Sequence, residues 1–200
     1  MPALRSLAFA VLLASLAAGP PAAHACACCT NVGQRYDGVE PLDSGKLDAM
    51  ERLRFGPRAR LFTGEADPDM IEGISAKSSR YSLQVAREKA RWVFAFRDEG
   101  GRTGTLTLAL PRSIAVLAVD TRRDSREGGT GPSLYHEWKL SSRAVGSGIF
   151  ASGVGKGQRI TLVLQGHGNN CTSASDFTHW MLVVSGPAAR FHLFGELVQS

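Results

Sequence analysis

Beyond its first 20 residues the chain has no long apolar run, so no second segment supplies the roughly 20 consecutive apolar residues of a membrane-crossing helix. It has no internal repeat and no Ser-, Gly- or Pro-rich low-complexity linker, and nothing in the composition divides it into several domains. Several enzyme motifs are missing as well. "GVGKG" at Gly153–Gly157 lacks the Ser or Thr that follows Lys in a phosphate-binding P-loop, which leaves the reading of a flexible hairpin. "HEWK" at His136–Lys139 has Leu140 where a zinc-protease helix needs its second His, and no G-x-S-x-G marks a serine nucleophile. Cysteine is scarce: the chain has 4, with Cys26, Cys28 and Cys29 inside "CACC" and Cys171 far away.

What is present begins with an address. Met1–Arg5 carries one positive charge, "LAFAVLLASLAAG" is apolar, and Ala23 and Ala25 stand at the minus-three and minus-one positions for cleavage. An apolar core of about 13 residues fits a secretory signal and is short for a span. Residues 1–25 are therefore expected to be a signal peptide, with the exported chain beginning at Cys26 and destined for the periplasm or the extracellular space. A lipid anchor on Cys26 is the competing outcome, and His24 makes a poor lipobox residue for it. Removing the leader leaves 22 basic against 18 acidic side chains, a formal +4. The basic groups are scattered (Arg58/Arg60, Arg87/Lys89/Arg91, Arg122/Arg123/Arg126), which describes a solvated surface and argues against a nucleic-acid partner.

The remaining 175 or so residues suffice for one domain with a real core. Residues 26–57 form a Cys-rich N-terminal segment holding one helix, "PLDSGKLDAMERLRFGP". Asp43 or Ser44 can cap its free N–H groups. Leu47, Met50 and Leu53 recur at helical spacing, and Gly56-Pro57 is expected to stop it. A short turn is expected at Asp67-Pro68.

From about residue 80 the apolar period changes from 3.6 to 2. "RYSLQVARE", "RWVFAFRD", "GTLTLALP", "SIAVLAVD", "SLYHEWKL", "QRITLVLQ", "FTHWMLVV" and "ARFHLFGELV" each place alternate apolar residues on one face, and "ARLFT" at 59–63 is a possible further strand. The connections "DEGGR" (98–102), "PR" (111–112) and "GSGIFASGVGKG" are short and hairpin-like, which favours antiparallel neighbours. The glycine-rich, charged "TRRDSREGGTGP" is expected to be mobile. Residues 58–200 thus read as an all-β antiparallel domain, a β-barrel or β-sandwich of about eight to nine strands, carrying the short N-terminal helix and the Cys-rich leader.

The thiols frame the functional alternatives. Four cysteines in an oxidising compartment point to two disulfides. Adjacent Cα atoms lie about 3.80 Å apart, below the usual disulfide window of about 4.4–6.8 Å, so Cys28–Cys29 would be strained. Cys26–Cys28 is tight, and Cys26–Cys29 is the most relaxed local ring, leaving Cys28 for Cys171. One reading therefore joins Cys28 or Cys29 to Cys171 and ties the N-terminal segment to the β domain.

A second reading makes the C-x-C-C cluster a copper or zinc site, because packed thiolates suit soft and borderline ions. Its further ligands would come from "QGHGNNCTSASDFTHW", which supplies His167, Cys171 and His179, with Met181 on the same strand face as His179. A third reading takes Cys171 as a nucleophile with His167 or His179 as base and Asp176 as orienter. His136 and Trp138 share a face with Leu134 and Leu140 and are expected in the core. The stripe Trp92, Phe94, Phe96 is either core or the lining of a ligand cavity in an open-mouthed barrel. The leading functional expectation is an exported, non-enzymatic β domain that binds a protein partner or a small ligand.

Overall fold

The computed structural model describes residues 33, 35–62, 71–120, 134–155, 157–168 and 177–198. All four cysteines, the Asp67-Pro68 turn and the loop at 121–132 lie outside the described residues. Among these residues ten strands and one helix follow one another. They are β1 (Arg35–Pro41), α1 (Ser44–Arg52), β2 (Arg58–Leu61), β3 (Arg80–Glu88), β4 (Arg91–Asp98), β5 (Thr103–Ala109), β6 (Ser113–Asp120), β7 (Leu134–Gly148), β8 (Arg159–Gly168), β9 (Phe177–Ser185) and β10 (Arg190–Glu196). All pairings are antiparallel, and β7–β8 pairing closes eight of the strands (β7, β5, β4, β3, β2, β10, β9, β8) into a barrel. The sandwich alternative is thereby excluded.

Alternation of burial explains why these segments became strands. Trp92, Phe94 and Phe96 point inward at 3, 0 and 1 % exposure, opposite Leu106 and Leu108 of β5, and the interior continues through Leu140, Ile160, Leu162, Leu164, Leu182, Val184 and Leu193. The aromatic stripe is core: Phe96 meets Phe150 edge-on at 5.5 Å, and Phe150 stacks on Phe191 at 5.6 Å. At the other end Phe55 gathers Trp92, Phe94 and Trp180 within 6 Å.

Three sequence expectations meet corrections. The "PR" at 111–112 is no hairpin. β5 and β6 lie end to end along the same edge of β7, with Leu108 opposite Ala144 and Ala115 opposite Lys139. The break between them is chemically satisfied. The Ala109 N–H donates to Ser142 Oγ (3.1 Å) and Leu110 N–H to the Ala90 carbonyl (2.8 Å), while Pro111 has no N–H to satisfy and the Arg112 carbonyl accepts from Leu42 N–H (2.9 Å).

The helix, second, does not run to Gly56. It is capped by Asp43, whose carboxylate accepts from Lys46 N–H at 2.9 Å, and it ends at Arg52. Its last carbonyls are taken by guanidinium groups: Arg87 reaches Glu51 O and Leu53 O at 3.3 and 2.5 Å while lying 4.9 Å over the Trp92 ring. Gly56 instead donates its N–H to Glu196 O at 2.9 Å. Third, the segment before the helix contains a strand that periodicity did not predict, β1, which pairs with β6 from Arg35↔Val119 to Pro41↔Ser113.

The turn after β7 depends on one glycine. Gly148 has φ +59°, and a Cβ there would lie 2.1 Å from the Thr103 carbonyl oxygen. A side chain would face both left-handed strain and a backbone clash. Gly148→Ala is expected to lower stability by more than about 2 kcal/mol, whereas Gly155→Ala, with nothing within 4 Å, is expected to be nearly neutral. Denaturant unfolding of the two variants beside the parent chain checks the contrast.

Candidate functional site

The described buried polar side chains are five, and three of them lie in the strands around the β6–β7 junction, Asp120 at the end of β6 and His136 and Glu137 on opposite faces of β7. The other two are explained locally, since Asp98 takes Arg102 at 2.7 Å within its hairpin and Gln158 accepts from Gly155 N–H at 3.1 Å. The β6–β7 end of the barrel is therefore where the fold holds polar groups away from water.

His136 lies on the inner face with Trp138 and Leu140, as the alternation in "LYHEWKL" implies. It stands across from Ala118 and Gly166, and the edge of the Phe177 ring packs on it at 4.5 Å. Phe177 reaches this position through an irregularity. Gln165 pairs with His179, but Gly166 pairs with Phe177, so β9 carries an extra residue there. Without that bulge Phe177 would face outward, three residues before the inward Trp180; with it the ring lies against both His136 and Trp138, the latter at 5.0 Å.

The imidazole is 1 % exposed, and neither Nδ1 nor Nε2 finds a hydrogen-bond partner. Leaving a buried donor or acceptor unmade costs about 1–3 kcal/mol, so the site carries a group that is expensive to keep there. Burial, reinforced by the nearby charge of His167, lowers its pKa from 6.5 to about 4. His136 is thus a neutral imidazole at ordinary pH, with one N–H to give and one lone pair to accept or coordinate.

On the outer face of the same strands runs a hydrogen-bonded polar group. Glu137 accepts from Tyr135 Oη (2.8 Å) and Gln165 Nε2 (3.0 Å) and forms an ion pair with Lys139 at 2.6 Å. Burial alone would raise the Glu137 pKa, but the hydrogen bonds from Lys139, Gln165 and Tyr135 outweigh it and hold the carboxyl below its usual range. Burial, then the Glu137 carboxylate, pushes the Tyr135 phenol up to about 12. This group is internally satisfied and holds the outer side of the strand that aims His136 inward.

The sequence-predicted ligands fall on that outer face. His167 lies across from Tyr135 with ring centroids 5.3 Å apart, His179 lies across from Gln165 with Nδ1 2.9 Å from Thr178 Oγ1, and Met181 lies across from Val163. His167 and His179 are exposed and Met181 is partly buried. The sheet separates all three from His136. No group of three or more His, Cys, Asp or Glu gathers among the described residues, and Cys26, Cys28, Cys29, Cys171 and Asp176 lie outside them. Sequence reasoning placed His136 in the core correctly. Its unmade hydrogen bonds had no signal in the sequence, because they depend on which neighbours the register supplies.

Among the described residues the interior is filled by side chains, and the stripe Trp92, Phe94, Phe96 belongs to that core. Comparison with family models, curated proteins and solved structures finds no match for this chain.

The depressed His136 pKa has a thermodynamic consequence. Above pH 6.5 the imidazole is neutral whether the chain is folded or unfolded; between 6.5 and about 4 the unfolded chain binds a proton that the folded one refuses, so stability falls as pH falls through that window. The loss amounts to roughly 3 kcal/mol when complete. Glu137 acts in the same direction but only below its ordinary value of 4.5, and the half-buried His192 adds a smaller contribution of the same sign. Thermal melts between pH 7 and 5 are expected to fall steadily for the parent chain and to flatten in His136→Phe.

Proposed function

We propose that this chain is an exported, non-enzymatic β-barrel that binds a small ligand or partner at the end around His136, and that its N-terminal cysteines are tied to Cys171 at that same end. The observation that carries the reading is a buried imidazole with two unmade hydrogen bonds at the place where the relevant strand ends meet. Arg35 pairs with Val119, Leu134 with Gly168, and Gly166 with Phe177, so the chain enters from its N-terminal segment and flanks residues 169–176 at one end of the sheet. Cys171 follows Gly168 by three residues and Cys29 precedes Arg35 by six. At about 3.3–3.6 Å per residue both are within reach of that end. A disulfide closing so long a loop stabilises by about 4 kcal/mol on the chain-entropy model, which suffices as its reason.

A copper or zinc site is the second reading, and the same imidazole favours it. A neutral buried His with a free lone pair is a metal ligand in waiting, and the thiolates of "CACC" cannot all form unstrained disulfides. His136 would then be the nitrogen ligand, with His167 and His179 on the far side of the sheet.

Intact and native mass spectrometry of the exported protein, with thiol titration, separates these outcomes. The expected mature chain starts at Cys26 and has no free thiol, and Cys171→Ser frees one N-terminal thiol and lowers stability by about 4 kcal/mol. An added mass of one copper or zinc ion that His136→Phe abolishes selects the metal reading. Retention of residues 1–25 would overturn export, and a single reactive thiol at Cys171 would overturn both readings in favour of a thiol nucleophile.

A further inference from the structure

The far end of the barrel carries a second feature, independent of the first. On the outer face, Arg143 of β7 stands directly across from Arg159 of β8, which stands across from Ser185 of β9 and, beyond it, Arg190 of β10. Neighbouring strands lie about 4.7–4.9 Å apart, so two guanidinium groups project side by side from adjacent strands. Like charges directly opposite one another destabilise a strand pair. Arg190 meets Glu72 only through backbone hydrogen bonds of an isolated bridge, and neither Arg143 nor Arg159 has an acidic partner among the described residues. Some exposed arginines have one (Arg35 takes Asp37, Arg80 takes Glu99 and Arg91 takes Glu88), whereas Arg52, Arg58, Arg60 and Arg97 have none among the described residues. Arg143 and Arg159 are set apart by facing each other directly across a ladder with neither of them paired.

Both arginines line one groove of about 890 Å³, formed between the end of β7 and the returning residues 151–155 and 157–158. Among the described residues no acidic side chain lines it. Ser142 and Gln158 also line it, with their side-chain oxygens already bonded to Ala109 N–H and Gly155 N–H, and Val145, which is 59 % exposed, adds an apolar surface. Val154 and Gln158 of the far wall are held in place, since Gly146 N–H donates to Val154 O at 3.2 Å, Ala144 N–H donates to Gln158 O at 3.0 Å, and Val154 is buried.

We infer that this groove binds the phosphoryl group of a phosphate monoester, held between Arg143 and Arg159, with the ester's apolar part on Val145. A carboxylate carries a single charge and compensates one guanidinium. A phosphate monoester near neutral pH carries close to two, and its three terminal oxygens accept a fork from each arginine. The groove is also far larger than a phosphate ion alone, which leaves room for the organic portion. The same chemistry is offered by a soluble phosphate monoester and by a phosphatidic acid headgroup.

Calorimetric titration at low ionic strength with phenyl phosphate, and co-sedimentation with phosphatidic acid vesicles against phosphatidylcholine vesicles, tests the site and names the source. Saturable binding in either arm is expected to weaken about tenfold or more in the double variant Arg143→Gln/Arg159→Gln. It should persist in Arg52→Gln/Arg97→Gln, which removes the same charge from exposed positions elsewhere. Melting temperatures check that the variants fold, and phenyl phosphate should raise the melting temperature of the parent chain but not of the Arg143/Arg159 variant. No saturable binding in either arm, or equal weakening in the two double variants, would overturn the inference.

Discussion

The barrel depends on β7, because this one 15-residue strand makes three different pairings. Along one edge it is joined to β8 from Leu134 to Arg143, and that seam closes the ring. Along the other edge it holds β6 over its first half and β5 over its second. The change of partner is possible because Pro111 has no N–H to satisfy and the groups around it find Ser142, Ala90 and Leu42. Both candidate regions follow from this arrangement. His136 occupies the start of β7 and Arg143 the point at which its β8 pairing ends, so one strand fixes the aim of the imidazole inward and of the guanidinium outward.

Most strands were legible because one face is buried. β3, β4 and β6 coincide with the alternating runs that predicted them, and their inward residues are those the period of two selects. The second half of β7 was not legible. Its inward positions are Ala144 and Gly146, small residues without an apolar signature, and Val154 and Phe150 fill the space that a side chain at Gly146 would take. β1 was invisible for the opposite reason. It lies at the edge with Tyr36 and Val39 exposed at 45 and 74 %, and the backbone ladder to β6 gives no side-chain pattern to read. The bulge beside Gly166 likewise comes from pairing register, so "FTHWMLVV" could place His179 and Met181 on one face but not turn Phe177 inward.

The candidate sites divide along the same line. Residue types can be read from a sequence, and so the cysteines, His167, His179 and Met181 stood out as chemistry-bearing. Environments cannot. What distinguishes His136 is the absence of partners in a dry interior, and what distinguishes Arg143 and Arg159 is that they are 16 positions apart in the chain yet direct neighbours across a ladder. In both cases the information is in the sheet register, which a single sequence specifies only through the fold.

The edge position of β1 also has a mechanical meaning. β1 is held by one ladder of seven residue pairs to β6, and among the described residues nothing pairs its other side. In an antiparallel pair, tension drawn sideways from the N-terminal end loads the Arg35–Val119 pair first and opens the ladder one rung at a time. The eight-stranded ring is loaded only after that ladder and the turn into α1 have yielded. If the chain were exported and tethered through Cys26, β1 would serve as a compliant leader, peeling rung by rung while the closed barrel kept its shape.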